Sequence, residues 1–211
     1  MPKSTDYQSN LAVVDVFPFT IYHNPIRNHV LQVIDEEAGE SRSVEILNVG
    51  CGFSQILRHI NPRHRYTGVD VDERSLGQCR QRFPQARFEA CGPFELPFPD
   101  ASFDVVFATE VIEHVLDPQR WLRELLRVLR PGGRLQLSTP NYGDFILPLV
   151  ERTFLELVAR LQGFTRKGIH PTPFSLNSLK DTLEQAGLQQ VQVQKTFLWL
   201  ALVASGRKAG G

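Results

Sequence analysis

The chain has 211 residues, of which 42% are hydrophobic, and this is enough to bury one full core in a single globular domain. Its 23 basic and 23 acidic residues give a net charge of zero, which disfavours nucleic acid as a partner. No apolar run approaches the length of a bilayer span, so we expect no transmembrane segment.

Cysteine content and the N-terminal sequence bear on the compartment. Cys51, Cys79 and Cys91 are odd in number and lack the spacing of metal ligands, which favours a reducing environment. The N-terminus has no basic segment followed by an apolar one, so it does not resemble a secretory signal. We therefore expect a cytoplasmic protein.

A helix is predicted to begin at Asn24-Pro25, because asparagine is a good N-cap and proline suits the first helical position. Its apolar face would consist of Ile26, Val30, Val33 and Ile34. We expect this helix to pack on a sheet formed by the residues that follow.

From residue 44 onward, strand and helix patterns alternate. The predicted strands are 44–49, 65–70, 86–90, 103–108 and 133–138, and the predicted helices are 54–60, 73–82 and 118–129. Alternation at this spacing predicts a parallel sheet with helices on both faces. Towards the C-terminus, Ser175 should cap a helix that ends at Gly187, and strands at 189–195 and 197–204 should form a hairpin with one antiparallel strand in the sheet.

The first predicted strand runs into Gly50 and Gly52, which permit close approach of a ligand to the backbone. The next strand ends at Asp70, where nucleotide-binding folds place an acid that accepts hydrogen bonds from ribose hydroxyls. A dinucleotide-binding loop would need a third glycine at position 55, which is Gln55. The pattern therefore favours a ligand with adenosine and no phosphate, such as S-adenosylmethionine (SAM).

From Val44 to Asn141 the chain resembles class I SAM-dependent methyltransferases, and most of all the group that includes ubiquinone-biosynthesis O-methyltransferases. The resemblance is carried by ordered blocks at 48–52, 68–70, 95–100, 102–106, 110–115, 127–135 and 138–141. It implies an α/β fold with a Rossmann-like, seven-stranded, mostly parallel sheet of order 3-2-1-4-5-7-6, in which the last strand is antiparallel. The expected single domain comprises an N-terminal helical cap (1–43), a SAM-binding core (44–141), a substrate lid (142–174) and a C-terminal helix and hairpin (175–211).

The resemblance also implies where SAM would lie. The expected cofactor-binding residues are Asn48, Gly50, Cys51 and Gly52 at the amino-acid end, Asp70 at the ribose, Val71 and Phe94 on either side of the adenine, and Gly92, Pro93 and Glu110 around them. Three positions depart from the family pattern: Asn48 replaces a usual acid, Ser54 a frequent glycine, and Gly92 a frequent aspartate.

The expected chemistry lies in Glu110-Val-Ile-Glu113-His114, just after the strand at 103–108. In the resembled enzymes a Glu-x-x-Glu-His motif with a more distant histidine holds a divalent metal. Here Glu110, Glu113, His114 and His170 would be the ligands, suited to magnesium, manganese or zinc. Without a metal, Glu113, His114 and His170 remain the catalytic candidates, and one imidazole would be the general base.

Acceptor recognition is expected in the variable segments. A lid helix with an apolar face is predicted from Ile146, Leu149, Val150, Phe154, Leu157, Val158 and Leu161. By resemblance, the N-terminal segment could add Tyr7, Phe17, Phe19 or Tyr22, although core packing is the better explanation of these residues. An apolar lid favours a hydrophobic or aromatic acceptor, although a dimer contact or core packing would explain the same face. The expected reaction is O-methylation of a small or lipid-like molecule, ahead of N- or C-methylation.

Three alternatives remain open from the sequence. A SAM-binding module without catalysis would explain Asn48 and Gly92, and an RNA 2′-O-methyltransferase would use the metal motif despite the zero net charge. An NAD-dependent oxidoreductase is disfavoured by Gln55. The protein is expected to be a monomer or a homodimer.

Overall fold

The computed structural model describes residues 19–144 and 170–210, without the side chains of residues 19–21 and Phe197. Its strands form one sheet of order β3-β2-β1-β4-β5-β7-β6, which confirms the predicted order. The strands are β1 (Glu45–Val49), β2 (Arg65–Asp70), β3 (Arg87–Ala90), β4 (Phe103–Thr109), β5 (Leu129–Pro140), β6 (Leu188–Lys195) and β7 (Ala201–Lys208). Strands β1 to β5 pair in parallel, and β7 is antiparallel to both β5 and β6.

Helices cover both faces of this sheet, as expected. The α-helices are α1 (Phe19–Ala38), α2 (Glu73–Arg82), α3 (Pro118–Val128) and α4 (Leu176–Gln185). The two larger buried clusters of the described residues form most of the core. One contains Trp121 of α3 and Leu179 of α4, and the other contains Val30 of α1 and Leu76 of α2. Among residues 19–144 and 170–210, no helix is long and apolar enough to cross a bilayer.

Helix α1 begins at Phe19, and the prediction that it begins at Asn24-Pro25 is wrong. Pro25 lies inside the helix, although it lacks the N–H that a regular turn would use. The extra N-terminal turn carries Tyr22, whose hydroxyl donates to Glu110, and this long-range contact outweighs the local capping preference. The predicted apolar face is correct, since Ile26, Val30, Val33 and Ile34 are all buried.

The helix predicted at 54–60 is also wrong, because only a four-residue 3-10 turn forms at Gln55–Arg58. Ser54 adopts a left-handed conformation with φ of 49°, and its side chain does not cap the turn. Left-handed backbone favours glycine, which gives a physical reason for glycine to be frequent at this position in the resembled enzymes. So short a turn supplies no helix N-terminus to a ligand.

Two strands differ from prediction at their ends. Strand β5 begins at Leu129 rather than 133, because Leu129 already pairs with Phe103 ahead of an irregularity in register. The last strand spans Ala201–Lys208 rather than 197–204, and a 3-10 turn occupies Phe197–Trp199. Apolarity alone predicted a strand at 197–200, yet the backbone there turns left-handed. The helix capped by Ser175 forms as predicted, with a capping box to Ser178.

Candidate active site

The carboxyl ends of β1, β2, β4 and β5 meet at one edge of the sheet, which we call the carboxyl edge. Open parallel sheets bind ligands at this edge, near the point where the strand order changes direction. That point lies at β1 here, since β2 and β4 flank it. The candidate residues follow these strand ends, so the topology brings them together.

Gly50 and Gly52 shape the loop that leaves β1. Gly50 has φ of 71°, and a Cβ atom there would lie 2.5 Å from Cγ2 of Val111. A side chain at this position is therefore disfavoured both by the left-handed backbone and by the clash with Val111. Gly52 has φ of 48°, but a Cβ atom there would meet nothing within 4 Å. The loop therefore packs tightly on one side and leaves room for a ligand beside Gly52.

Asp70 is held in place by backbone donors. Its Oδ2 accepts from the N–H of Gly52 at 2.8 Å, and its Oδ1 accepts from the N–H of Asp72 at 3.0 Å. Each carboxylate oxygen has a second lone pair. The carboxylate is thus positioned beside the glycine loop and can still accept hydrogen bonds from a diol.

Asn48 is buried beneath the loop and donates from Nδ2 to the Tyr66 hydroxyl at 2.7 Å. The same hydroxyl donates to Ser54 Oγ at 3.1 Å. The Oδ1 atom of Asn48 has no protein partner although it is buried, which suits a ligand N–H. Cys51 is buried nearby, and burial raises the pKa of its thiol to about 12, so the thiol is protonated.

The residues expected around the adenine lie beside the end of β2. The N–H of Cys91 donates to the carbonyl of Asp70 at 3.1 Å, which sets the 91–94 segment against this strand end. Val71, Gly92 and Pro93 are exposed there, and Phe94 is half-buried. The Arg120 guanidinium lies 4.7 Å from the centre of the Phe94 ring, a contact that the sequence did not predict.

Glu110 follows β4 in a left-handed conformation, with φ of 57°. Its Oε2 accepts from the Tyr22 hydroxyl at 2.6 Å and its Oε1 from Ser138 Oγ at 2.8 Å. Burial raises the pKa of Glu110, more than these two hydrogen bonds lower it. Burial and the neighbouring Glu110 charge raise the pKa of Tyr22 well above its usual value, so its hydroxyl stays a donor.

Glu113 lies in a 3-10 turn at Ile112–His114 and is almost fully buried. Its Oε2 accepts from Thr139 Oγ1 at 3.0 Å. Burial, followed by repulsion from Glu110, raises the pKa of Glu113 to about 9. The Glu113 carboxyl is therefore protonated at neutral pH in the protein without a cation.

His114 and His170 meet beside Glu113, with ring centres 4.9 Å apart. Nδ1 of His170 shares a hydrogen bond with the Tyr142 hydroxyl. One potential ligand atom from each of Glu113, His114 and His170 lies within 4.8 Å of the others, and Glu110 is outside this group. We call these three residues the Glu-His-His cluster.

Several site residues were not predicted from the sequence. Ser138, Thr139 and Tyr142 hold Glu110, Glu113 and His170, respectively. The available signal was their position, since polar residues at the carboxyl end of a buried strand face the site. Tyr7, Phe17 and the apolar lid residues from Ile146 to Leu161 lie outside the described residues.

Comparison with known proteins identifies the domain. Residues 47–137 match the methyltransferase domain family. Over 98 residues the chain is 41% identical to a probable SAM-dependent methyltransferase of Mycolicibacterium smegmatis, covering 46% of this chain and 38% of that protein. Over about half of its length the chain is thus similar to SAM-dependent methyltransferases.

Two further matches extend beyond this methyltransferase domain. The 27-O-demethylrifamycin SV methyltransferase of Amycolatopsis mediterranei is 35% identical over 154 residues, covering 68% of this chain and 53% of that protein. The structure of the CurJ carbon methyltransferase covers 96% of this chain and 59% of that chain, with a TM-score of 0.73 and 21% identity, which shows a shared fold. The chain thus spans 38% of the Mycolicibacterium smegmatis relative and about half of the Amycolatopsis mediterranei relative.

Gly50→Ala should destabilise the methyltransferase domain by about 2–4 kcal/mol, because it combines left-handed strain with a clash against Val111. Gly52→Ala is the matched control, since it adds strain of about 1 kcal/mol without a clash. Urea unfolding measures both free energies. Equal losses in the two variants would contradict the packing argument.

Glu113 should make the domain less stable as pH rises. Between the pKa of about 4.3 in an unfolded chain and about 9 in the fold, the folded state keeps a proton that the unfolded state has released. The free energy of unfolding should therefore fall across this range by up to about 1.4 kcal/mol per pH unit.

Glu113→Gln, which is neutral at every pH, should reduce this dependence in urea unfolding with a chelator present, and the part that remains would come from Glu110, whose pKa is also raised. The exposed Glu184→Gln serves as the control and should keep the wild-type slope. Parallel slopes in wild type and Glu113→Gln would show that Glu113 titrates normally.

Proposed function

We propose that this chain transfers a methyl group from SAM to a hydroxyl oxygen of a small or lipid-like molecule. The observation that carries the proposal is the Asp70 carboxylate, fixed by the Gly52 N–H beside an open glycine loop. An O-methyltransferase among the relatives, from Amycolatopsis mediterranei, supports oxygen as the acceptor atom. We also propose that the chain is related to ubiquinone-biosynthesis O-methyltransferases, as the sequence motifs suggest.

The residues of the loop fit SAM. Asp70 would accept hydrogen bonds from the ribose hydroxyls, and Asn48 Oδ1 would accept one from the ammonium group. Gly52 leaves space for close approach, and Val71 and Phe94 would contact the adenine. SAM supplies a methyl group already activated by a positively charged sulfur. The protein must then align the acceptor and exclude water.

The acceptor side of the site would be the Glu-His-His cluster. A hydroxyl that attacks the methyl carbon loses its proton, and an imidazole accepts a proton near neutral pH. The hydrogen bond between Tyr142 and Nδ1 of His170 orients that ring, so proton transfer by His170 would use Nε2. Glu113 would anchor the turn that carries His114, through its bond from Thr139.

The Glu-His-His cluster also fits a divalent cation. Two imidazoles and one carboxylate suit zinc or manganese better than magnesium, and a cation there would lower the pKa of a bound hydroxyl. Glu113 would first have to release its proton, which weakens binding at neutral pH. Glu110 is engaged by Tyr22 and Ser138, so it would hold neighbouring groups rather than the cation.

The cofactor site is tested by calorimetric titration with S-adenosylhomocysteine, the demethylated product. We expect micromolar affinity, about −8 kcal/mol, for wild type and at least a tenfold loss in Asp70→Ala. Asp181→Ala removes an exposed acid from α4 and should bind as wild type does. Tight binding without methyl transfer to any phenol, catechol or lipid-like alcohol would instead favour a non-catalytic SAM-binding module.

The role of the two histidines is tested by measuring S-adenosylhomocysteine production with phenols and catechols as acceptors. We expect turnover to persist in EDTA, because Glu113 is protonated at neutral pH, and to fall at least tenfold in His170→Ala with the affinity for S-adenosylhomocysteine unchanged. Loss of turnover in EDTA, with recovery on adding Mn²⁺ or Zn²⁺, would assign the cluster to a metal.

A further inference from the structure

The turn between β6 and β7 holds two large apolar residues in an unfavourable backbone conformation. Leu198 has φ of 63° and ψ of 10°, and Trp199 has φ of 58°. Left-handed backbone costs residues other than glycine about 1–2 kcal/mol each. Turns that need positive φ at two successive positions usually carry Asn-Gly or Gly-Gly. The chain uses leucine and tryptophan here instead.

Burial does not offset this cost. Leu198 is 51% exposed and Trp199 is 58% exposed. Within residues 19–144 and 170–210, they are the only exposed large hydrophobic residues that are adjacent in sequence. Strained conformations persist where the surrounding structure enforces them, and they concentrate at functional sites.

A polar network holds the turn. Asn141 donates from Nδ2 to the carbonyl of Trp199 at 2.8 Å and to Asp144 at 2.7 Å. Asp144 pairs with Lys195 at 2.9 Å, and the Lys195 ammonium lies 5.6 Å from the centre of the Trp199 ring. Because Asp144 balances the charge of Lys195, the network fixes the indole without leaving a net charge beside it.

This turn lies at the acceptor side of the carboxyl edge. Ala201, the first residue of β7, pairs with Pro140 at the end of β5, so the residues before Ala201 extend past that edge. Asn141, which holds Trp199, precedes Tyr142, which binds His170. Helix α1, the source of Tyr22, also contacts the turn.

We propose that Leu198 and Trp199 form an apolar platform that binds the ring or chain of the methyl acceptor while its hydroxyl lies at the Glu-His-His cluster. The inference rests on the proposed methyltransferase function and specifies its acceptor as an amphipathic hydroxyl compound with an apolar body. Two exposed apolar side chains, one aromatic, recognise such a body by removing its surface from water. The strain keeps the side chains outside the core and available.

The test uses 4-alkylphenols from ethyl to hexyl as probes, with calorimetry on the full chain saturated with S-adenosylhomocysteine. Wild type should bind more tightly as the alkyl chain lengthens. Trp199→Gly and Trp199→Asn, both suited to a left-handed residue, should bind 4-hexylphenol at least tenfold more weakly and have raised urea midpoints. Trp199→Phe should recover most of the affinity.

Gln190→Gly is the matched control, because Gln190 has φ of 53° but lies in β6, outside the turn. It should raise the urea midpoint and leave phenol binding unchanged. Equal binding of 4-hexylphenol by wild type and the Trp199 variants would overturn the proposal. It would also be overturned if wild type bound anionic lipid vesicles but did not bind the phenols. Failure here with S-adenosylhomocysteine still bound would leave the cofactor assignment intact.

Discussion

The hydrogen bond from the Gly52 N–H to the Asp70 carboxylate joins the ends of two neighbouring strands, and the site depends on it. The loop that carries this N–H begins at Gly50, which is left-handed and lies against Val111, where no side chain would fit. The loop is thus fixed from below by packing and from the side by a charged acceptor. A ligand that leaves these contacts in place binds to a preorganised surface, so little conformational entropy of the protein is lost on binding.

The second half of the carboxyl edge is built differently, from buried carboxyls rather than from backbone. Glu110 and Glu113 lose hydration, and each regains hydrogen bonds from hydroxyls on neighbouring elements. Buried carboxyls are costly when charged, so the pKa values of both residues are raised. This connects α1 and β5 to the end of β4, and it makes this half of the edge sensitive to pH.

Sequence reasoning predicted most strands, because apolar periodicity and the glycine and acid positions are local signals, whereas the order of the strands was expected from the family resemblance. It failed where a distant contact decided the outcome. Tyr22 extends α1 past Pro25 through its bond to Glu110. Likewise, Trp199 lies in a left-handed turn, whereas its apolar sequence context had predicted a strand. The cluster of Glu113, His114 and His170 needed both kinds of information, since motif resemblance named the residues and the fold shows which of their potential ligand atoms lie close together.

The two sides of the site also differ in how they relate to the family. Asp70, Glu110 and His114 fall within residues 47–137, the region that matches the methyltransferase domain model. Tyr22, His170 and Trp199 fall outside it. An activated methyl donor makes similar demands whatever accepts the methyl group, so the cofactor side can stay constant while the acceptor side varies. Specificity should therefore be sought in α1, in the segment around His170 and in the turn before β7, where the backbone is strained and the domain model ends.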